Sequence, residues 1–153
     1  MYAEIRDYLA NVTTLFLNTP PLVRAVQFSV DFQPLPSLIG KISASKGGNA
    51  MGLSSSDPDR IILIYQGAWN LPTDDELAYG IARQITGWLD EVVPVWMEEA
   101  GISEDTYLPM FMNDAMYDQP VTQSYRDYEK FKALQKQVDP NGLFATRAGG
   151  FKY

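Results

Sequence analysis

From residue 3 to residue 17, Ile5, Tyr8, Leu9, Val12, Leu15 and Phe16 recur every three or four positions, with Glu4, Arg6 and Asp7 mostly opposite. That spacing predicts an amphipathic helix, which Pro20-Pro21 ends because proline cannot continue the hydrogen-bond ladder. The period then drops to two. Val26, Phe28, Val30 and Phe32 alternate with Gln27, Ser29, Asp31 and Gln33, predicting a strand over residues 22–33 with one buried face. Pro34 and Pro36 are expected to stop its pairing. Residues 37–58 read as loop, with Gly47-Gly48-Asn49-Ala50-Met51-Gly52-Leu53 at the centre and Asp57-Pro58-Asp59 as a turn.

The continuous apolar run Ile61-Ile62-Leu63-Ile64-Tyr65 predicts a central strand extending toward Trp69. Thr73-Asp74-Asp75-Glu76 has the form of a capping box and opens a long helix to about Ala100. Its buried stripe is Leu77, Ile81, Ile85, Trp88, Leu89, Val92 and Trp96; Pro94 should kink it and Gly101 should cap it. Residues 106–113 form a third strand candidate interrupted by Pro109, and a last helix over 124–137 turns Tyr128, Phe131 and Leu134 inward. Alternating helices and strands alone suggest parallel α/β units. The polar second face of the 22–33 strand instead belongs to an antiparallel sheet covered on one side. The expected class is α+β, a mainly antiparallel sheet with helices packed on one face, in a single domain over residues 1–153.

Composition narrows the chemistry. The chain has 153 residues, 46% of them hydrophobic and 20% charged, as in a soluble globular domain with a real core. A net charge of −7 argues against nucleic acid or an anionic membrane as partner. No apolar run reaches the length of a bilayer span. The acidic amino terminus is not that of a signal peptide, so a cytoplasmic location is expected and the Asn11-Val12-Thr13 sequon reads as chance. There is no cysteine and no histidine. A thiol nucleophile, a disulfide, a Ser-His-Asp triad and the usual zinc ligands are thereby excluded. Proton transfer must use Asp, Glu, Tyr, Lys or water.

Three segments stand in an order that resembles the carboxyl-terminal part of FAD-linked oxidases of the berberine-bridge-enzyme-like group, within the vanillyl-alcohol-oxidase superfamily. They are Gly47 to Leu53; Met110-Phe111-Met112-Asn113-Asp114-Ala115 with Asp118-Gln119-Pro120; and Ser124-Tyr125 with Leu134, Asp139-Pro140 and the tail Gly149-Gly150-Phe151-Lys152. Trp69, ahead of Asp74-Asp75, also sits where many fungal members carry tryptophan. The likeness spans about residues 27–153. It implies part of a substrate domain whose antiparallel sheet roofs the isoalloxazine ring, without the domain that binds the FAD pyrophosphate. The absent His and Cys also remove the links by which many of these oxidases tether FAD. Two positions depart from the pattern: Phe111 replaces a tyrosine and Arg126 a glycine.

In such a fold the face carrying Gln27, Ser29 and Asp31 lines a substrate cavity; otherwise it faces water. Tyr65 and Trp69 either stack on a planar ligand or pack in the core. Asn113 and Asp114 are either functional groups at the end of a strand or an Asx-turn. Asn49 is more a turn residue than a ligand contact, and the methionines, Met51 among them, suit adaptable packing or an apolar site. The expected function is a flavin-free enzyme directing cyclisation, isomerisation or dehydration of an apolar, polycyclic intermediate of secondary metabolism. Asp31 would be its acid/base, Tyr65 a phenol donor and Asn113 a carbonyl-orienting amide. Gln27, Ser29, Asn49, Met51, Trp69, Phe111 and Asp114 would bind substrate. No cofactor or metal is expected unless a separate domain brings FAD, and a homodimer is expected to cover an exposed edge. The alternative is a non-catalytic substrate-domain subunit, or fragment, of an FAD-dependent oxidoreductase.

Overall fold

The structure is a computed structural model describing residues 1–18 and 26–153. Pro20-Pro21, the start of the predicted first strand and the side chains of Phe16 and Val26 lie outside the described residues. The elements are α1 (Tyr2–Leu17), β1 (Val26–Leu35), α2 (Ser37–Ser45), β2 (Arg60–Trp69), α3 (Asp75–Glu99), α4 (Tyr128–Val138) and α5 (Leu143–Arg147). Short 3-10 turns occupy Pro72–Asp74, Met112–Asp114 and Thr122–Ser124. The α+β expectation holds, with one antiparallel pair, β1 with β2, as the sheet among the described residues.

The chain divides into two compact units. The first is Met1–Asp31 with Leu63–Thr106, and the second is Phe32–Ile62 with Tyr107–Tyr153. In the first, α1 and α3 bring Ile5, Leu9, Val12, Ala78, Ile81 and Ile85 into one buried cluster. Phe28, Val30, Leu63 and Tyr65 from the strands, and Trp88, Leu89 and Trp96 from α3, pack on it. The Tyr8 and Trp88 rings stack at 4.0 Å with an 8° interplanar angle, and Trp96 meets Trp88 edge-on at 5.8 Å. The helical period thus located most of this core. Leu15 is an exception, standing exposed at the end of α1.

Several expectations about local structure are corrected. Residues 37–58 are not all loop, because α2 occupies 37–45. Three serines and a glycine in nine residues give it weak intrinsic propensity, and tertiary contacts supply what propensity lacks. Asp59 accepts the Ser37 backbone N–H at 2.7 Å at the start of α2, and a Cβ on buried Gly40 would lie 2.2 Å from the Ser54 carbonyl oxygen. The larger side chains Leu38, Ile39 and Ile42 stand exposed. Pro34 does not end β1, which runs to Leu35. In a two-stranded sheet each strand has an unpaired edge, where a residue lacking an N–H is tolerated. For the same reason β2 is not a central strand.

Residues 106–113 do not form a strand; they run irregularly into the 3-10 turn at Met112–Asp114. Pro109 removes a ladder donor there. The Thr73 capping box is not formed either, since Thr73 lies inside a 3-10 turn and Asp74 takes the N-cap position of α3. The far end behaves as expected: Gly101 has φ +67°, its N–H reaches the Glu98 carbonyl at 3.0 Å, and Ile102 N–H reaches Met97 at 2.8 Å. That is the Schellman arrangement, for which glycine is the favoured residue. Pro94 lies inside a helix that continues past it.

The last long helix begins at Tyr128 rather than near 124 and leaves Leu134 exposed. Leu143 and Phe144 are exposed on α5 and do not anchor α4. Asp139 instead accepts the N–H groups of Leu143 and Phe144 at 2.7 and 2.8 Å, satisfying donors that a helix start leaves open. The tail returns through Tyr153, whose ring lies 5.2 Å from Phe131 and whose N–H donates to Gln135 at 2.9 Å.

The glycines give a direct check on this packing. Gly40→Ala should destabilise the protein by about 1–3 kcal/mol, because the methyl group overlaps the Ser54 backbone. Gly80→Ala and Gly87→Ala, in open space on α3, should each stabilise it by about 0.5–1 kcal/mol. Urea unfolding of the three variants measures both signs.

Candidate functional site

Local bonding inside the second unit fixes the glycine-rich segment. The Asn49 amide donates to Ser43 Oγ at 2.6 Å and to the Leu53 carbonyl at 3.3 Å, and its oxygen accepts Leu53 N–H at 3.2 Å. Those bonds make Asn49 the keystone of its own turn. The Gly48 N–H donates to Ser43 and the Gly52 N–H to Asn49. Gly47, Gly48 and Gly52 all have positive φ, which other residues rarely adopt.

A charged cluster fastens this loop. Asp57 accepts the Ser54 N–H at 2.8 Å, Arg60 Nη2 at 3.2 Å and Arg126 Nη2 at 2.7 Å, with its side chain only 2% exposed. Arg60, 8% exposed, also donates to the Tyr107 carbonyl at 2.6 Å, while its buried Nε–H has no hydrogen-bond partner among the described residues. Arg126, 40% exposed, donates to the Gly52 carbonyl at 2.8 Å and lies 3.7 Å from the centre of the Tyr107 ring. The Tyr107 hydroxyl donates to the Met51 carbonyl and accepts the Arg126 backbone N–H at 3.0 Å. Burial alone would raise the Asp57 carboxyl. The Arg126 and Ser54 hydrogen bonds, with the charges of Arg126 and Arg60, outweigh it and hold the group below its ordinary value. Burial raises the Tyr107 phenol.

Beside this loop lies a hollow of about 480 Å³, whose lining includes Gly48, Asn49, Leu53, Asp127, Lys130 and Phe131. A second hollow, of about 280 Å³, belongs to the first unit and is lined by residues that include Thr13, Phe28, Ser29 and Tyr65. Tyr65 lies 5.7 Å from Phe28 in a stacked arrangement. Burial pushes its phenol up to about 12, with the nearby Thr13 hydroxyl opposing the shift in part. That hydroxyl does not complete a hydrogen bond of normal geometry, and the buried Tyr65 oxygen has no formed hydrogen-bond partner among the described residues. A group of this kind remains a neutral donor throughout the physiological range.

The ten residues singled out from sequence divide between the units. Ser29 and Tyr65 meet at the smaller hollow. Gln27 and Asp31 are exposed on β1, and Trp69 is half-buried, its Nε1–H bound to Asp75 at 2.6 Å. In the second unit Asn49 borders the larger hollow, while Met51 contributes its carbonyl to Tyr107. Phe111 is half-buried before the Met112–Asp114 turn, where Asn113 and Asp114 are exposed. The sequence reading missed the Asp57 cluster and the presence of Asp127 and Lys130 in the lining of the larger hollow. Asp57 and Arg60, three residues apart, and Arg126 where the oxidases it resembles carry glycine were the available signals. No group of three or more potential metal ligands occurs among the described residues, and no described helix is long and apolar enough to cross a membrane.

Comparison with known proteins gives a consistent direction. The chain is 31% identical over 123 residues to the FAD-dependent monooxygenase drtC of Aspergillus calidoustus, a match covering 79% of this chain and 22% of that protein. It is 29% identical over 121 residues to the FAD-dependent monooxygenase tpcD of Cochliobolus heterostrophus, covering 77% and 22%. It is 26% identical over 123 residues to the FAD-dependent monooxygenase sdcF of Emericella nidulans, covering 78% and 24%. The chain therefore spans about a quarter or less of the length of these curated relatives, and it is similar to one part of them. No family model matches the chain, and no solved structure matches it.

Acid should expose the role of Asp57. A carboxyl whose folded pKa is lowered adds stability above its unfolded value of about 4, and that stability is lost as pH falls through the lower folded value. Asp57→Asn should therefore cost about 2–4 kcal/mol at pH 7 and flatten the acid limb of stability against pH. Arg126→Met should cost less, about 1–2 kcal/mol, because its side chain is 40% exposed and Arg60 still faces Asp57. Denaturant midpoints from pH 2 to 7 measure both.

Proposed function

We propose that these residues are the substrate-side region of an FAD-dependent oxidoreductase of the berberine-bridge-like kind, working with flavin held by residues outside these 153. One observation carries the reading: similarity to a single region of FAD-dependent monooxygenases over nearly four-fifths of the chain. The glycine-rich loop supports it from the other side. A phosphate-gripping loop offers free backbone N–H groups at the start of a helix. Here the loop follows α2, and the N–H groups of Gly48, Gly52 and Leu53 are bonded within the loop and its adjoining helix. On this reading the outward Leu38, Ile39 and Ile42 of α2 meet the flavin-bearing part.

A second reading has its own support in the smaller hollow. A flavin-free enzyme would use the protonated Tyr65 phenol as a donor to an apolar substrate beside Ser29, with Asp31, exposed on the same strand as Ser29, as acid/base. It would act as a homodimer covering the same α2 face.

Co-expression with the FAD-binding portion of drtC separates the two. The oxidoreductase reading predicts a yellow complex that copurifies, with oxygen uptake absent from either part alone. Leu38→Asp with Ile42→Asp should abolish the complex while each part stays folded. Failure to copurify would overturn that reading. Turnover by the colourless chain alone, reduced by Asp31→Ala or Tyr65→Phe, would establish the other.

A further inference from the structure

Charge is unevenly placed along this acidic chain. Residues 84–106, which include the carboxyl-terminal part of α3, hold six acids and no Lys or Arg. Residues 128–153, which include α4 and α5, hold five Lys and Arg against Glu129 and Asp139. The carboxyl end of a helix carries partial negative charge, so cations are favoured there and acids are not. α3 nevertheless closes on Glu98-Glu99 with no basic residue in its last turn. Glu91, Glu98 and Glu99 are exposed, and none forms an ion pair with a described residue. The same holds for Lys130 on α4 and Arg147 on α5.

Both segments also expose apolar side chains among their charges. Glu91, Val95 and Glu98, spaced four and three residues apart, share one face of α3, and exposed Ile102 follows just past Gly101. Lys130, Leu134 and Val138 recur every four residues, share one face of α4 and are all exposed. α5 adds exposed Leu143 and Phe144, one turn before Arg147. The two faces therefore match in kind, each with apolar side chains and with opposite charges beside them. We propose that the α4–α5 face docks on the α3 face of a second copy of this chain. Apolar burial supplies affinity, and the charges set orientation while bringing cations to the acidic end of α3. A nucleic acid or an anionic membrane would answer the cations of α4 and α5 but not the acids beside Val95 and Ile102; a second copy answers both. Because the two faces differ, the contact is heterologous. It does not use the α2 face and rests on neither functional reading.

Sedimentation velocity of the full chain tests the contact, with Leu38→Asp and Ile42→Asp present throughout to take the α2 face out of play. This chain should associate as its concentration rises, and less so as salt goes from about 0.02 M to about 0.5 M. Lys130→Glu with Arg147→Glu should weaken association at least about tenfold, and so should Glu91→Lys with Glu98→Lys, because like charges then meet. An equimolar mixture of the two charge-reversed variants should associate again, since each reversed face finds the opposite sign on the other. Leu134→Ser should weaken association while leaving its salt dependence in place. All of these residues are exposed, and circular dichroism will report intact helices. A chain that stays monomeric, association indifferent to both charge reversals, or a mixture that remains apart would overturn the proposal. A monomer that instead sediments with phosphatidylserine vesicles would overturn it in favour of a lipid surface.

Discussion

Asp57 must stay ionised while almost wholly out of water, and that requirement organises the second unit. An unpaired carboxylate in such a place costs several kcal/mol, and removing one member of a buried pair leaves the other uncompensated. Two guanidinium groups and a backbone N–H meet it here, one from β2 and one from the segment leading into α4. Because Arg126 also holds the Gly52 carbonyl and stacks on Tyr107, the charge drawn to Asp57 fixes the glycine-rich loop as well. Gly52 fits this role twice over. Its φ is +68°, and a Cβ there would stand 2.9 Å from the Arg126 Cβ.

The first unit rests on different physics. Its stability comes from apolar burial between α1 and α3, with aromatic rings from both helices and the strands closing around Ile81 and Ile85. The Tyr65 phenol stands out against this apolar packing. Tyr65 keeps its proton and lacks a completed hydrogen bond beside a small hollow, a feature suited to meeting a neutral ligand oxygen. The two units thus differ, one with a small hollow beside Ser29 and Tyr65 and one with a glycine-rich loop fastened by the Asp57 cluster. Both belong to a chain that is similar to one part of several FAD-dependent monooxygenases.

Periodicity made the first unit legible. The stripes on α1 and α3 and the alternation in β1 reflect burial against one face, which a sequence records locally. The second unit was less so. α2 escaped because it puts Gly40 against its own loop and large residues outward, reversing the usual amphipathic pattern. The irregular course of 106–111 escaped because Met110, Phe111 and Met112 have the apolar content of a strand, and the break at Pro109 was read as an interruption rather than as its absence. Local spacing held only the Asp57–Arg60 half of the charged cluster, since Asp57 and Arg126 are 69 positions apart. Arg126 stood out only as a departure from the glycine of the oxidases the sequence resembles, and the structure gives Arg126 a bonding role. Asn49 went the other way: its turn-forming reading matches the three bonds its amide makes.

Hydrogen exchange read residue by residue tests the central claim that the Asp57 cluster holds the loop. In the native protein the Gly48, Gly52 and Leu53 amides should be protected, because each donates within the fastened loop or to its neighbouring helix. In Asp57→Asn those amides should exchange at least about tenfold faster, while Ile81 and Ile85 in the first unit keep their protection. Loop amides that stay equally protected in the variant would show that the loop is held by other means and contradict the account.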